Sequence, residues 1–268
     1  MTIAGLDPSG GAGIIADIKT FFAFGCFPTA AIASITFQNT VGVFGAESQS
    51  AASVRSQAVP VIEDIGIDSL KTGMLPTREI IIETANIVRQ FGLKNVVVDP
   101  VVRSTSGFDL IDDAALKALI EHLFPLSGIV TPNIQEAERI TGIAIETIDD
   151  ILAAAEIMRN FGAMNVLIKG GHFSLSKDDR SDKPAIDFLF LDGVLHRFEA
   201  PFIETTATHG TGCTLAAAIA ANLALGNNLI EAVRISKEFV HRAIATAPML
   251  GKGNSPINVQ PISRSEGT

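Results

Sequence analysis

Short apolar, β-branched runs alternate along this chain with longer segments of helical period. Residues 2–5, 29–36, 69–72, 95–99, 128–131 and 165–169 read as strands. The fourth, centred on Val96-Val97-Val98, is apolar on both faces, as a strand buried within a parallel sheet must be. Between the first two strands, Ile14, Ile15, Ile18, Phe21 and Phe22 fall at helical spacing and predict a helix that buries one stripe. Asp112, Thr147 and Asp149 stand where later helices need amino-terminal caps. Strand–helix alternation of this kind predicts βαβ units and a mostly parallel sheet between helical layers. Residues 186–191 and 194–198, joined by Asp192-Gly193, read instead as a hairpin that adds an antiparallel edge. Two helices follow, over 214–225 and 229–247, and then a tail from about 249 rich in Gly, Pro, Ser and Asn that should be loosely held. No repeat or low-complexity linker divides residues 1–268, which read as a single domain.

Composition narrows the function classes. With 20 basic and 29 acidic side chains the formal charge is −9, and no basic run interleaved with aromatics offers a footprint for a phosphate backbone, so nucleic acid is not the expected partner. The longest helix-like apolar stretch, residues 215–221, is far shorter than the roughly 20 residues a bilayer requires, and no membrane role is expected. Cys26 and Cys213 share no metal-binding or disulfide spacing, which fits a reducing cytosol, and the amino terminus has no secretory pattern.

In open α/β sheets ligands collect beyond the carboxyl ends of the strands, so the residues after each strand carry the chemistry. The first strand runs into Asp7-Pro8-Ser9-Gly10-Gly11-Ala12-Gly13, and Gly11 to Ala16 formally matches the dinucleotide fingerprint. That reading, an NAD-type oxidoreductase, wants an acid at the end of the second strand, where Gln38 stands. Asp17 reads either as a solvated helix residue or as a carboxylate that receives a donor from a ligand. A second glycine-rich turn, Thr208-His209-Gly210-Thr211-Gly212-Cys213-Thr214, opens an alanine-rich helix. Converging backbone N–H groups and the helix dipole make such a turn an anion hole suited to a phosphoryl group, and a plain tight turn is the competing reading. Cys213 in that turn should have its pKa lowered by the helix terminus, unless it is a buried inert thiol. His172 and His209 read as turn residues. Asp99, Asn133 with Glu136, and Lys169 close three further strands, and together supply the oxygen ligands for Mg²⁺ and the cation for phosphate that a Mg–nucleotide needs.

Taken in order, these segments resemble the ribokinase-like family, and more closely the hydroxymethylpyrimidine/phosphomethylpyrimidine kinases of thiamine biosynthesis. The resemblance covers about residues 2–258. It rests on the run from Ala4 to Ile14, Gln38-Asn39-Thr40, Lys71-Thr72-Gly73-Met74-Leu75, Val98-Asp99-Pro100-Val101, Thr131-Pro132-Asn133, Lys169-Gly170-Gly171-His172 and the second glycine turn. It implies a three-layer α/β/α sandwich, usually a cytoplasmic homodimer, that moves the γ-phosphoryl of MgATP onto a hydroxymethylpyrimidine and then a second phosphoryl onto the monophosphate. Gly5, Ala12, Asp17, Gln38, Met74 and Val101 would form the pyrimidine pocket. Asn133, Lys169, Thr211 and Gly212 would meet the nucleotide phosphates, with Glu136 and Asp99 on the metal. Gly210 and Gly212 would hold the transition-state charge beside Lys169, and Cys213 would be the base. A neutral amide at Gln38 can donate and accept, which keeps a pyridoxine or pyridoxal kinase as the alternative. The lid expected over 102–107, with Arg103 or its hydroxyls on the incoming phosphate, lacks a second cysteine.

Overall fold

In the computed structural model, which describes residues 1–102, 110–171 and 184–260, a nine-stranded mixed sheet lies between two helical layers. Its strands are β1 (Thr2–Leu6), β2 (Ala30–Gln38), β3 (Val43–Ser48), β4 (Leu70–Thr72), β5 (Val96–Val98), β6 (Ile129–Val130), β7 (Val166–Lys169), β8 (Ala185–Leu191) and β9 (Val194–Ala200). The order is β3-β2-β1-β4-β5-β6-β7-β8-β9. The six strands from β2 to β7 run parallel, and the β8–β9 hairpin closes one edge antiparallel, as its Asp192-Gly193 turn predicts. The opposite edge is antiparallel too, through β3. That strand escapes a reading by alternation because Val43-Phe44-Gly45-Ala46-Glu47-Ser48 has no continuous buried face.

The helices are α1 (Gly13–Ala23), α2 (Ala51–Ile65), α3 (Arg78–Phe91), α4 (Asp113–Ala118), α5 (Ile134–Thr141), α6 (Ile148–Asn160), α7 (Thr211–Ala224) and α8 (Leu229–Ala245). Their starts follow from local chemistry. The Asp112 carboxylate caps α4, and Thr147 caps α6 in a reciprocal box with Asp150, so Asp149 is a first-turn residue and not the cap. Period-2 alternation divides the core: Val96 and Val98 face α2 to α6, while Val97 faces the layer containing α1, α7 and α8.

Two expectations need correction. Phe22 is 65% exposed, because the inward stripe of α1 runs through Ile14, Asp17 and Phe21 instead, with a carboxylate in it. The segment 249–260 is not loose: Ser255 and Ile257 are buried, Asn254 N–H bonds Thr40 O at 2.8 Å, and Asn258 N–H bonds Ala243 O at 2.9 Å. Polar, glycine-rich composition is compatible with a strap when the backbone itself finds acceptors.

Candidate functional site

The carboxyl ends of the parallel strands open into one cavity of about 920 Å³. Gly5, the penultimate residue of β1, follows a register shift after Ala4 and lets the chain approach Met74, whose sulfur would lie 3.1 Å from a Cβ at position 5. Gln38 ends β2 at a second register shift, after Phe37, and lines the cavity. Met74, Val101 and Ala12 complete this mostly apolar wall.

On another wall, α7 begins at Thr211, three residues before the predicted start, with Gly210 as its cap in the left-handed region (φ 83°). A Cβ at Gly210 would sit 1.8 Å from Gly11 O, so only glycine fits both the angle and the space. The first i→i−4 bond is Thr214 N–H to Gly210 O at 2.9 Å, which leaves the Gly212 and Cys213 amides without intrahelical acceptors at the positive end of the dipole. Lys169 reaches the same turn, its Nζ 3.1 Å from where a Cβ on Gly212 would be.

Lys169 Nζ donates to Asp99 Oδ1 at 2.8 Å and lies 4.0 Å from Glu136 Oε2. The Asn133 side-chain oxygen is committed to the amino-terminal cap of α5, where it accepts from Glu136 N–H at 2.9 Å, while Asn133 N–H bonds Glu136 Oε2 at 2.8 Å. The residue still lines the cavity. Burial pushes the Glu136 carboxyl up to about 7; Lys169 opposes this and Asp99 adds to it. Two carboxylates sharing one ammonium are a donor set that suits Mg²⁺, which takes one or two carboxylates and completes its shell with water and phosphate oxygens.

Cys213 lines the cavity, but the lowered pKa expected of a thiol at a helix terminus is not found. Burial pushes it up to about 11, against the pull of Lys71. Asp17 is not brought to the cavity at all. It is fully buried beneath it, where Lys71 Nζ donates to both its oxygens (2.8 and 3.0 Å) and Thr2 Oγ1 donates at 2.7 Å. Burial works against the Lys71 ammonium, but the charge and hydrogen bonds of Asp17, with the neighbouring charges of Cys213 and Asp99, together raise the lysine pKa. Lys71 itself lines the cavity and has no role in the sequence reading; a lysine between Leu70 and Thr72 in a buried strand is the available signal, since such a side chain enters a core only with a partner.

Asp7 and His209 are also missed. Asp7 accepts from Ser9 N–H, Ser9 Oγ and Ala12 N–H and pairs with His209 Nε2 at 2.8 Å. Burial works against its charge, but the hydrogen bonds from His209 and Ser9 hold the carboxyl at about 2. The clearances in the first glycine turn are therefore taken up within the protein. A Cβ at Gly11 would meet the His209 ring at 2.3 Å, and one at Gly13 would meet Gly5 O at 2.3 Å. With Gln38 where a ribose-binding acid is needed, the dinucleotide reading falls. His172 and the 103–107 part of the lid lie outside the described residues.

The cavity lining also includes the Lys237–Asp187 ion pair (2.7 Å) and the apolar side chains of Pro201, Phe202, Val240 and Ile244. His241 Nε2, also in this lining, is buried without a hydrogen-bond partner among the described residues. Among those residues no helix is long and apolar enough to cross a membrane.

The chain resembles known proteins in both sequence and fold. A hydroxymethylpyrimidine/phosphomethylpyrimidine kinase of Rhizobium meliloti is 46% identical over 96% of this chain and 95% of its own. The thiamine biosynthesis bifunctional protein of Geobacter sulfurreducens is 43% identical over 96% of this chain, which spans 51% of that longer protein. Among solved structures, the phosphomethylpyrimidine kinase of Clostridium difficile superposes with a TM-score of 0.78 at 41% identity, covering 91% of this chain and 97% of that one. The pyridoxal kinase of Staphylococcus aureus in complex with ADP gives 0.88 at 31% identity, covering 99% and 94%. Residues 7–258 match the sequence model of phosphomethylpyrimidine kinase, and with the three-layer, ribokinase-like sandwich described above this chain belongs to that family.

Proposed function

We propose that this chain transfers the γ-phosphoryl of MgATP to the hydroxymethyl group of 4-amino-5-hydroxymethyl-2-methylpyrimidine, and a second phosphoryl to the resulting monophosphate, as a cytoplasmic enzyme of thiamine biosynthesis. The observation that carries the reading is the sharing of one cavity by an apolar wall with a single amide, Gln38, and the free amides at the head of α7 beside Lys169. Such a site needs no covalent intermediate: phosphoryl transfer is catalysed by positioning and by charge.

Gln38 meets the ring nitrogen and amino group, with Met74, Val101, Gly5 and Ala12 against the ring faces. Asp17 holds Lys71 in place instead of touching the ring. The Gly212 and Cys213 amides, freed by the turn at Gly210 and Thr211, take the transferring oxygens, and Lys169 and the Asn133 amide face the donor's phosphates. Asp99 and Glu136 would hold Mg²⁺, which supplies neutralisation of phosphate charge. The apolar lining of Phe202, Val240 and Ile244, with the unpartnered His241 Nε2, suits a purine base. Because the transition state is loose, the acceptor hydroxyl keeps its proton until late, and Cys213, a base only as its thiolate, takes that proton in its ionised form as the new P–O bond forms.

A pyridoxine or pyridoxal kinase is the second reading, favoured by the neutral amide of Gln38 and the likeness to a pyridoxal kinase. Rates of ADP release with the hydroxymethylpyrimidine, its monophosphate and pyridoxine, measured side by side, decide between them. The pyrimidine should have the largest kcat/KM; a larger value for pyridoxine reverses the assignment. The exposed β2–β3 edge, with Phe37, Val41 and Phe44 bare, supports a homodimer formed through that face.

A further inference from the structure

His209 stands before α7 at a crossing of three loops. Its ring Nε2 is 2.8 Å from Asp7 Oδ2, and the same carboxylate gathers Ser9 N–H (2.8 Å), Ser9 Oγ (2.9 Å) and Ala12 N–H (2.9 Å). One buried side chain thus ties the first glycine turn to the second. On its backbone side His209 N–H reaches Ser255 O at 3.3 Å and forms a bridge with Pro256. The strap continues to Thr40: Asn254 N–H bonds Thr40 O at 2.8 Å and Lys252 N–H bonds Thr40 Oγ1 at 3.2 Å. Thr40 is two residues beyond Gln38. There is no slack in these contacts, since a Cβ at Gly253 would lie 2.1 Å from Thr40 O and one at Gly11 would lie 2.3 Å from the His209 ring.

We propose that His209 is a positioning residue: held by Asp7 and by the strap 250–258, it locks the loops that carry the acceptor alcohol to the turn that holds the phosphoryl group. The inference rests on the kinase reading above and adds to it a residue outside the phosphate and ring contacts. The physical ground is that transfer depends on the separation of two reacting atoms presented by different loops, and a misplacement of about 1 Å costs on the order of a hundredfold in rate. Asp7, nearly inaccessible to solvent, already accepts from Ser9, Ala12 and His209, so its carboxylate is engaged in holding the two glycine turns together.

The test is a mutant cycle read by kinetics and by amide exchange. His209→Ala and Asp7→Asn should each lower kcat about tenfold or more, with KM for both substrates within about threefold. The double variant should be no slower than the worse single one, and His209→Gln, whose amide can still donate to Asp7, should recover much of the rate. In Asp7→Asn, amide exchange should accelerate in 208–214 and in 250–258, some two hundred residues away in sequence. A kcat within twofold of wild type in His209→Ala, multiplicative losses in the double variant, or acceleration confined to 7–13 would each overturn the lock. Wild-type protein that releases ADP with neither the pyrimidine nor pyridoxine removes the kinase reading alone, and the exchange data then decide the lock by themselves.

Discussion

A thiol, two lysines and three carboxylates share the ground beneath the head of α7, and their mutual charges decide what each can do. Cys213 is protonated at neutral pH because burial lifts it to about 11, so any work it does as a base grows as the thiolate forms. The kcat of the wild type should therefore climb steadily from pH 7 to pH 10, and Cys213→Ala should be about a hundredfold slower with a flat profile. Superimposable profiles for the two proteins would reduce the thiol to packing. At Asp7 the sign is opposite. Its folded pKa of about 2 lies below the unfolded value near 3.8, so its stabilisation is complete above that value and is lost as pH falls toward 2. Asp7→Asn should lower unfolding free energy at pH 7 by about 1–2 kcal/mol, and urea titrations at pH 2.5 should show most of that difference gone. Both residues stand in the glycine motifs visible in the sequence, but neither their partners nor the direction of either shift could be read there. A pKa is set by what surrounds a group in space.

Among the elements, α7 has the most demanding environment. Thr214 to Asn222 are all buried, and the helix touches α1, α8 and the strands β4 and β5. Alanines from 216 to 218 and at 220 and 221 let it sit close on every side, which fixes the height of its amino end above the cavity. Ala217→Leu should cost about 1–3 kcal/mol through overpacking, seen as a fall of several degrees in melting temperature; an unchanged melt would mean the packing around α7 is looser than drawn. The alanine run announces a buried helix from sequence alone. Its true start at Thr211 does not follow from the run, because Gly210 caps it through a close approach to Gly11, two hundred residues earlier. The strap 250–258 is the same case: composition reads as slack, and only its acceptors on Thr40 and Ala243 make it ordered.

For the molecule as a whole, two surfaces matter: the cavity and the bare edge of the sheet. MgATP should raise the melting temperature by mass action while NADP leaves it unmoved, and the reverse result would restore the oxidoreductase reading. Phe37 and Phe44, 50% and 70% exposed beside the antiparallel edge, should be covered in a dimer. Light scattering should give twice the chain mass for wild type and the single-chain mass for Phe44→Asp; a monomeric wild type would refute the dimer. The sequence by itself determined the strands β1, β2 and β4 to β9, the parallel core, the two glycine turns and the strand-end residues, because period, capping and turn chemistry act over a few neighbours. Only the tertiary structure decided that Asp17 serves Lys71 and not the cavity, that β3 pairs at the far edge, and that Asp7, His209 and the strap meet. Those outcomes depend on which distant side chain satisfies a buried charge or an open backbone group, and a linear pattern carries no record of distances across the fold.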